Sequence, residues 1–312
     1  MNSLRVLFVG VGSIAKRHIR NLHIIANERG IELTIDAFRR SIDSIRTEGI
    51  DNEFSDINSM YSDYDIIFIT NPTEMHLSTL KRFHDKGKHF FIEKPVVSFS
   101  QIDEAKSFNL RKDSIYYVAC PLRYNAVIQF IKQNIDPDEV ISVRSISSSY
   151  LPDWRPGQDY RETYSAHKEM GGGVSIDLIH EWDYLTYLFG FPQKVHSYIG
   201  KKSDLEIDSD DYAIYIAEYQ NRIAELHLDY FGKKTIRQLQ VFTKKDTIEG
   251  NIVNNSIAFL KSDELLDFNE ERDDYQKREL NHFIDMVLGA TVVEDGYSHG
   301  IEVLELTKRN DR

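Results

Sequence analysis

The sequence predicts an α/β protein with two domains: an N-terminal doubly wound parallel sheet and a C-terminal α+β domain with an open, mostly antiparallel sheet. Over about the first 120 residues, short apolar strands alternate with helical segments, which is typical of a parallel sheet covered by helices on both faces. From about Glu139 onward, strand-like runs such as Val140–Tyr150 and Arg222–Phe231 follow one another with few helices between them. We therefore expect one domain at residues 1–120 and a second at residues 121–312.

The composition narrows the class of protein. The chain has 312 residues, enough for two domain cores, and its net charge is −12, from 38 basic and 50 acidic residues. This acidic balance disfavours a nucleic acid or an anionic membrane as a partner. No apolar run is long enough to span a bilayer. The single cysteine, Cys120, excludes an internal disulfide framework and a cysteine-based zinc cluster, so we expect a cytoplasmic protein without a bound metal.

A glycine-rich turn follows the first predicted strand. Arg5–Val9 is almost wholly apolar, and Gly10, Gly12 and Ala15 follow it at the spacing G-x-G-x-x-A, before a segment compatible with a helix. Gly10 permits a tight turn, Gly12 lets the backbone approach a pyrophosphate, and Ala15 lets the helix pack close to the strand. The helix N-terminus adds free N–H groups. The pattern predicts a dinucleotide site; the alternative is a glycine-rich turn without a ligand.

The following segments continue the alternation of strands and helices. Ile31–Phe38 and Asp65–Thr70 are predicted strands, and the apolar spacing within His76–Lys86 predicts a helix. Gly87 stands where the C-terminal cap of that helix belongs. His89–Ile92 is predicted to be the next strand. Near the end of the chain, two further helices are predicted, at Tyr275–Leu288 and His299–Arg309.

Lys94 follows a predicted strand directly and precedes Pro95. Ligands of open α/β sheets bind at the carboxyl ends of the strands, so we expect Lys94 to point towards a cofactor crevice. A partly desolvated lysine can act as an acid or base in the interconversion of a hydroxyl and a ketone. The alternative is a solvated surface lysine.

A second glycine-rich stretch, Gly171–Gly173, precedes a predicted helix. On that helix Asp177, His180 and Tyr184 are expected to share a face opposite the apolar one, which suits a pair of groups that handle protons. Three alternatives remain open: a solvated polar face, an aspartate that only orients His180, and a metal site. The metal site would use Asp177, His180, Glu181 and Asp183.

The end of the second strand bears on the choice between NAD and NADP. An acidic residue there would bind the ribose of NAD, whereas arginines accept the 2′-phosphate of NADP. Asp36 lies inside the predicted strand, and Arg39, Arg40 and Ser41 follow it. We therefore favour NADP over NAD.

Four segments in order resemble the Gfo/Idh/MocA family of glucose–fructose oxidoreductase, inositol dehydrogenase and rhizopine catabolism. They are GVGSIAKRH at Gly10–His18, TNPTEMH at Thr70–His76, GKHFFIEKP at Gly87–Pro95 and GGGVSIDLIHEWD at Gly171–Asp183. The resemblance covers nearly the whole chain. It implies an N-terminal Rossmann domain, a C-terminal open-sheet domain used for oligomerisation, and NAD(P)-dependent oxidation or reduction of sugars and polyols.

The resemblance also implies roles for individual residues. Lys94 matches the lysine of the family's EKP motif, and His180 matches its catalytic histidine. Many members place an aspartate four residues before that histidine, where this chain has Ile176, and we keep the neighbouring Asp177 as the residue that orients or tunes His180. The expected cofactor-binding residues are Gly10, Gly12, Ser13, Ile14, Ala15, Arg39, Arg40, Ser41, Thr70, Asn71, Pro72, His76, Glu93 and Lys94.

A narrower resemblance concerns Tyr150–Gly173, which looks like family members from bacterial clusters for surface polysaccharides and nonulosonic acids. It implies a sugar or nucleotide-sugar substrate, with aromatic rings stacking on a sugar ring and cations meeting a phosphate or carboxylate. Arg123 matches an arginine common in this subgroup, and a structural ion pair is the alternative for it. The expected substrate-binding residues are Arg123, Trp154, Arg155, Tyr160, Arg161, Tyr164 and Lys168.

Together these features predict an NAD(P)-dependent oxidoreductase that transfers a hydride between the nicotinamide and a sugar hydroxyl or ketone. We expect a homo-oligomer, a dimer or tetramer formed through the C-terminal sheet. A cofactor-binding regulator or sensor of the same fold, without turnover, is the alternative from another class. Dehydration or epimerisation through a transient ketone would use the same residues.

Overall fold

The computed structural model describes residues 3–41 and 47–308 of the chain. The chain forms two compact units. The first comprises Met1–Ala119 and Arg272–Glu302, and the second comprises Cys120–Glu271 and Val303–Arg312.

The first unit contains a six-stranded parallel sheet. Its strands follow the order β3-β2-β1-β4-β5-β6, and every neighbouring pair is parallel. This is the strand order of a doubly wound Rossmann sheet, so the predicted class of the N-terminal domain is confirmed. The strands are β1 (Ser3–Val9), β2 (Glu32–Phe38), β3 (Asn52–Phe54), β4 (Tyr64–Ile69), β5 (Gly87–Ile92) and β6 (Tyr116–Val118).

Stacked aromatic rings fill the centre of this unit, because the middle strands are buried on both faces. Phe8 on β1 stacks on Phe68 of β4 at 4.5 Å between ring centroids, and Phe68 stacks on Phe91 of β5 at 4.7 Å. All three side chains are completely buried. Long apolar runs such as DIIFIT are therefore the sequence signature of these strands.

Three helices connect the strands of the first unit: α1 (Ser13–Arg29), α2 (His76–Phe83) and α3 (Ile102–Lys106). The prediction that Gly87 caps a helix is wrong, because α2 ends at Phe83 and Gly87 begins β5. A Cβ on Gly87 would lie 2.4 Å from Cγ1 of Ile67 on the neighbouring strand. A glycine is required at this position by close packing between strands.

The second unit contains an eight-stranded open sheet of order β14-β13-β12-β11-β7-β10-β9-β8, which confirms the predicted C-terminal class. Only the β10–β7 pair is parallel. Two short strands near its edge, β13 and β14, were not predicted. The strands are β7 (Val140–Tyr150), β8 (Lys194–Gly200), β9 (Tyr212–Glu218), β10 (Ile223–Asp229), β11 (Phe231–Thr243), β12 (Thr247–Asn251), β13 (Ser256–Phe259) and β14 (Glu264–Asp267).

Three α-helices lie along the chain of the second unit: α4 (Ala126–Asn134), α5 (Val174–Asp177) and α6 (His180–Phe189). Short 3₁₀ helices occur in both units. They are Ile57–Ser59, Thr73–Met75, Phe99–Gln101, Pro121–Tyr124, Pro137–Glu139, Leu151–Asp153, Tyr160–Glu162, Tyr164–Ala166 and Lys168–Met170.

The two faces of the second sheet differ in burial. Side chains on one face, such as Leu226 and Leu228 of β10 and Tyr215 of β9, are buried. Apolar side chains on the other face, including Ile146, Ile216 and Ile223, are exposed. This second face is defined as the open face of the sheet.

The last two helices are α7 (Arg272–Val287) and α8 (Gly296–Leu306). We expected residues 121–312 to form one domain, but Arg272–Glu302 belongs to the first unit. The reason is that Phe283 of α7 packs on Phe91 at 5.3 Å, and α7 carboxylates pair with arginines of α1. The final residue of the predicted helix His299–Arg309 lies outside the described residues.

None of the helices in residues 3–41 and 47–308 is long and apolar enough to cross a membrane.

Replacing Gly87 with alanine should destabilise the first unit. The added Cβ meets Ile67 in a fully packed sheet, and overpacking of this kind costs about 1–3 kcal/mol. Chemical unfolding followed by circular dichroism measures the change in the free energy of unfolding. Lys88→Ala, at the exposed next position, is the matched control and should change that free energy by less than about 0.5 kcal/mol. Equal stabilities of the two variants would contradict this explanation of Gly87.

Candidate functional site

The turn between β1 and α1 leaves an open space at the start of the helix. Gly10 has a φ of +93°, and a Cβ there would lie 2.8 Å from the backbone of Asn71, so only glycine fits. At Gly12, in contrast, a Cβ would meet nothing within 4 Å. The first hydrogen bond of α1 runs from Lys16 N to Gly12 O, so the N–H groups before it have no partner within the helix. These groups can bind an anion.

The segment after β4 lies against this glycine turn. Thr70 Oγ1 donates a hydrogen bond to Gly10 O at 2.7 Å. Asn71 donates through Nδ2 to Thr79 Oγ1 at 2.7 Å, while its Oδ1 is buried and has no hydrogen-bond partner among the described residues. A buried acceptor without a donor is costly, so this oxygen fits a ligand that brings an N–H or O–H group.

His76 holds the same segment from α2. Its Nε2 lies 2.9 Å from Asn71 O, and its Nδ1 lies 3.0 Å from Pro95 O. Burial lowers the pKa of His76, so the ring is neutral near pH 7 and donates to only one of these carbonyls at a time. His76 therefore connects the segment after β4 to the segment after β5.

A cleft of about 540 Å³ opens beside the glycine turn. This volume lies within the range of small-molecule binding sites. Gly10, Arg39, Arg40, Asn71 and Pro72 of the predicted cofactor set line it. Of the remaining predicted residues, Gly12, Ser13 and Ser41 are exposed, Ile14 is half-buried, and Ala15 is fully buried beneath the helix.

The end of β2 carries arginines, as the sequence indicated. Asp36 is completely buried and accepts hydrogen bonds from Tyr64 Oη and Asn52 Nδ2. Its carboxylate is therefore engaged in hydrogen bonds within the first unit. Sequence reasoning missed two neighbours of the arginines. Glu53 on β3 lies 3.3 Å from Arg39 Nη1, and Arg82 on α2 lines the cleft, with its guanidinium 4.9 Å above the Phe38 ring. Neither had a sequence signal, because both contacts cross between elements.

Glu93 and Lys94 follow β5 directly. The Glu93 N–H donates to Ile69 O at 3.0 Å, and the Glu93 Oε1 lies 2.6 Å from Nε2 of His18 on α1. Burial raises the pKa of Glu93, but the hydrogen bond from His18 and the charges of His18 and Lys94 outweigh it, so the pKa lies below its usual value. Lys94 is half-buried. Sequence reasoning assigned no role to His18, although a histidine on the apolar face of α1, beside Ile19 and Leu22, was an available signal.

In the second unit, the predicted helix after Gly171–Gly173 is interrupted. Helix α5 ends at Asp177, α6 begins at His180, and Leu178 between them has a φ of −98° and a ψ of 29°. Asp177 and His180 therefore do not share one continuous helix. A Cβ on Gly173 would lie 2.3 Å from Asp210 Oδ1, so this glycine is required by packing against the chain's own loop.

The expected polar face of this helix is buried, contrary to the prediction. The Asp177 carboxylate accepts a 2.5 Å hydrogen bond from Tyr230 Oη, and Tyr184 lies 2.5 Å from Ser145 Oγ. These polar side chains can be buried where the helices pack on the sheet because each of them forms a hydrogen bond with a tyrosine or serine hydroxyl. Burial and the nearby Asp177 carboxylate raise the pKa of Tyr230. His180, by contrast, is half-buried at the start of α6.

The acidic residues beside His180 bind arginines. Arg123 forms a bidentate pair with Asp183 at 2.6 and 3.0 Å, which is the structural ion pair left open for Arg123. The completely buried Glu181 lies 2.6 Å from Arg237 Nε. Burial raises the pKa of Glu181, against the charge of Arg237. Two members of the alternative metal set thus face cations. Within residues 3–41 and 47–308, no group of three or more metal-ligand side chains is arranged to hold an ion.

The predicted substrate loop packs on itself and on neighbouring residues of the second unit. Trp154 packs edge-on against Tyr230 at 5.2 Å, and the Arg155 guanidinium lies 5.3 Å from the Tyr164 ring centroid. The cavity lined by Trp154, Arg155 and Tyr160 has a volume of about 10 Å³, room for a single water molecule. These residues alone do not form a space of sugar size.

Polar contacts anchor the rest of this loop. Arg161 pairs with Asp159 at 2.7 Å and with Glu206 at 2.8 Å. Tyr160 Oη accepts a hydrogen bond from Glu206 N, and the backbone N–H of Lys168 donates to Asp208. The cation of Arg161 is therefore already balanced by two carboxylates.

Comparison with known proteins agrees with this architecture. Residues 4–119 match a family described as an oxidoreductase family with an NAD-binding Rossmann fold, and residues 128–249 match the GFO/IDH/MocA C-terminal domain. The two units thus define the class of NAD-binding oxidoreductases with an open-sheet second domain. The chain belongs to the GFO/IDH/MocA family, and the resemblance found in the sequence is confirmed.

Individual relatives are distant. An uncharacterized oxidoreductase, YrbE of Bacillus subtilis, is 26% identical over 187 residues, which cover 58% of this chain and 52% of the relative. The chain spans about half the length of the curated relatives that it matches.

Two solved structures are similar over almost the whole chain. UDP-N-acetylglucosamine 3-dehydrogenase GnnA from Acidithiobacillus ferrooxidans has a TM-score of 0.77 and 18% identity, covering 98% of this chain and 96% of the other. Levoglucosan dehydrogenase in complex with NADH has a TM-score of 0.82 and 15% identity, covering 98% and 95%. At these identities the similarity shows the fold.

Proposed function

We propose that the chain is an NAD(P)-dependent dehydrogenase or reductase that acts on a hydroxyl or ketone carbon of a sugar or nucleotide sugar. The observation that carries this proposal is the open glycine turn at α1 beside a cleft of about 540 Å³. Asn71 Oδ1, which has no hydrogen-bond partner in the part of the chain that the structure describes, adds an acceptor for a bound ligand at the same turn. These features fit a dinucleotide, and family membership supports the same conclusion.

The N–H groups at the start of α1 would hold the pyrophosphate of the cofactor, with Thr70 and Asn71 shaping the turn. A bound nicotinamide supplies the carbon that accepts or donates the hydride. The chain itself must then handle the proton on the substrate oxygen. We assign that proton transfer to His180 and the polarisation of the same oxygen to Lys94, as the family resemblance implies. Asp177, whose carboxylate is bonded to Tyr230, would hold the segment that precedes His180.

The proposed substrate class rests on the similar proteins. GnnA is named for a nucleotide sugar and levoglucosan dehydrogenase for a sugar derivative. Within the loop, Trp154, Arg155 and Tyr164 are the residues that we propose for substrate binding, together with Tyr160 and Lys168. Arg161 and Arg123 contribute through their ion pairs to the shape of the loop and of α6. A role in surface-polysaccharide or nonulosonic-acid precursor synthesis is part of the proposal.

For the cofactor, we propose NADP. Arg39, Arg40 and Arg82 line the cleft, and Asp36 is committed to Tyr64 and Asn52 inside the sheet. Glu53 offsets the charge of Arg39. Arg40 and Arg82 are then the cations that would meet a 2′-phosphate.

We further propose that the chain works as a homo-oligomer, a dimer or tetramer, through the open face of the second sheet. That face carries exposed isoleucines on adjacent strands, and such an apolar surface is typical of a protein interface. The single cysteine, Cys120, is buried and suits a reducing compartment, so we propose the cytoplasm as its location.

Lys94→Met should lower turnover by a factor of about 100–1,000, the range typical of a donor that polarises the reacting oxygen, while cofactor binding changes little. Reduced-nicotinamide absorbance with a panel of sugars and nucleotide sugars measures turnover, and fluorescence titration measures cofactor binding. Lys88→Met, at an exposed lysine on β5, the strand that Lys94 follows, is the control. Normal turnover of Lys94→Met would contradict the role of Lys94.

The same assay separates the alternatives. Cofactor binding without hydride transfer to any sugar would favour the regulator. Product formation without release of reduced cofactor would favour dehydration or epimerisation.

Arg40→Ala should weaken NADPH binding by roughly 10-fold to 100-fold and leave NADH binding nearly unchanged, because a charge-assisted hydrogen bond to the 2′-phosphate is worth about 1.5–3 kcal/mol. Glu53→Gln should strengthen NADPH binding, since it releases Arg39. Fluorescence titration with both cofactors measures the effect, with Arg29→Ala on the far end of α1 as a control. Equal losses for both cofactors in Arg40→Ala would overturn the NADP assignment.

Ile216→Glu should dissociate the oligomer, because it places a charge among the exposed isoleucines of the open face. Light scattering coupled to gel filtration measures the mass. Leu260→Glu, an exposed apolar residue in the turn between β13 and β14, is the control. A wild-type monomer would refute the proposed assembly.

A further inference from the structure

His18 and Glu93 form a buried contact that the proposed mechanism does not yet use. The distance from His18 Nε2 to Glu93 Oε1 is 2.6 Å, and His18 is only 2% exposed. Its ring packs against Phe91 at 5.1 Å and Phe68 at 5.7 Å. The contact joins α1, whose first turn faces the glycine turn, to the strand end that carries Lys94. It therefore ties two parts of the candidate cofactor site together.

The two ring nitrogens of His18 differ in their contacts. The Nδ1 atom is buried and has no hydrogen-bond partner among the described residues. The Nε2 atom is the one that faces the Glu93 carboxylate and donates to it. The hydrogen bond from His18 contributes to the lowered pKa of Glu93, which favours the negatively charged form of this carboxylate.

The titratable groups around Glu93 come from three elements. His18 approaches it from α1 and His76 from α2, and Lys94 is the next residue on its own turn. Because His18 engages Oε1, the carboxylate has fewer orientations available than a free glutamate would have. A carboxylate fixed beside an ammonium group favours the charged form of the lysine.

We propose that His18 is a positioning residue that acts through Glu93: it fixes the Glu93 carboxylate and thereby sets the charge environment of Lys94. The effect of His18 on turnover rests on the proposed function of the chain. The effect of His18 on the charge environment of Lys94 does not depend on that function.

The test measures the apparent pKa of Lys94 from the pH dependence of its acetylation by acetic anhydride, followed by mass spectrometry of the peptide. The variants are His18→Phe, His18→Gln, Glu93→Gln and the double variant His18→Phe/Glu93→Gln. Glu93→Gln should lower the apparent pKa, because it removes the neighbouring negative charge. His18→Phe should lower the apparent pKa of Lys94 by about half a unit or more when Glu93 is present. When Glu93 is already replaced by glutamine, His18→Phe should cause no further change, since residues that act through one another are not additive.

His18→Gln keeps an N–H donor in this position and should restore most of the wild-type value. His23→Phe is the matched control: it lies on the same helix, is exposed and bonds Gly49 O at 2.8 Å, far from Lys94 in the chain. It should leave the apparent pKa of Lys94 unchanged. In turnover assays, His18→Phe should lower kcat by roughly 10-fold to 100-fold, as is typical for groups that orient a functional side chain, while the cofactor Kd changes less than about threefold.

An unchanged apparent pKa in His18→Phe would overturn the proposal, as would an equal shift in both backgrounds. A parallel loss of cofactor binding and kcat that His18→Gln does not repair would show a merely structural role. If the wild-type protein transfers no hydride to any sugar, the proposed function fails, but the acetylation measurements still decide the role of His18.

Discussion

The first unit depends on the register of three neighbouring parallel strands. Val9, Ile69 and Ile92 are paired across β1, β4 and β5, so these strands end side by side. The residues that follow them must then meet at one edge of the sheet. The glycine turn, the segment at Thr70 and Asn71, and the pair Glu93 and Lys94 are brought together by this register, and the hydrogen bonds of Thr70, His76 and His18 then connect them. Fully buried aromatic rings of these three strands stack on one another and pack the strands together.

Much of this arrangement could be predicted, because buried strands leave a continuous apolar signal and glycines mark the turn. The limits appear where packing partners are distant in sequence. The pattern of α5 and α6 indicated a polar face opposite the apolar one, but Asp177 bonds Tyr230, which lies between β10 and β11, 53 positions further along the chain. Polar residues at helical spacing can face solvent, or they can be buried and hydrogen-bonded to another buried side chain. The spacing alone does not distinguish these two cases. Gly87 shows the same limit, since its neighbour Ile67 lies on another strand.

The candidate site was predictable in its motifs and not in its supporting contacts. The sequence indicated Arg39 and Lys94 but not the carboxylate that accompanies Arg39. The place of His18 on the apolar face of α1 was a signal, but it did not identify Glu93 as the partner of this histidine. Both partners come from elements that become neighbours only in the folded unit. Such contacts influence the charge of a functional residue. A sequence motif can therefore identify the residue, but the folded structure is needed to explain its chemistry.

The glycines before α5 have a consequence for how this protein can be studied. A Cβ at Gly172 would lie 2.1 Å from the Tyr164 carbonyl oxygen, and one at Gly173 would meet Asp210. Both positions are therefore filled by the chain itself. If these glycines are invariant among related sequences, the reason is the packing of neighbouring loops. If a variant at either position is inactive, the cause is misfolding. Glycine-rich motifs of this kind should not be used as markers of ligand contact when functions are transferred between distant proteins.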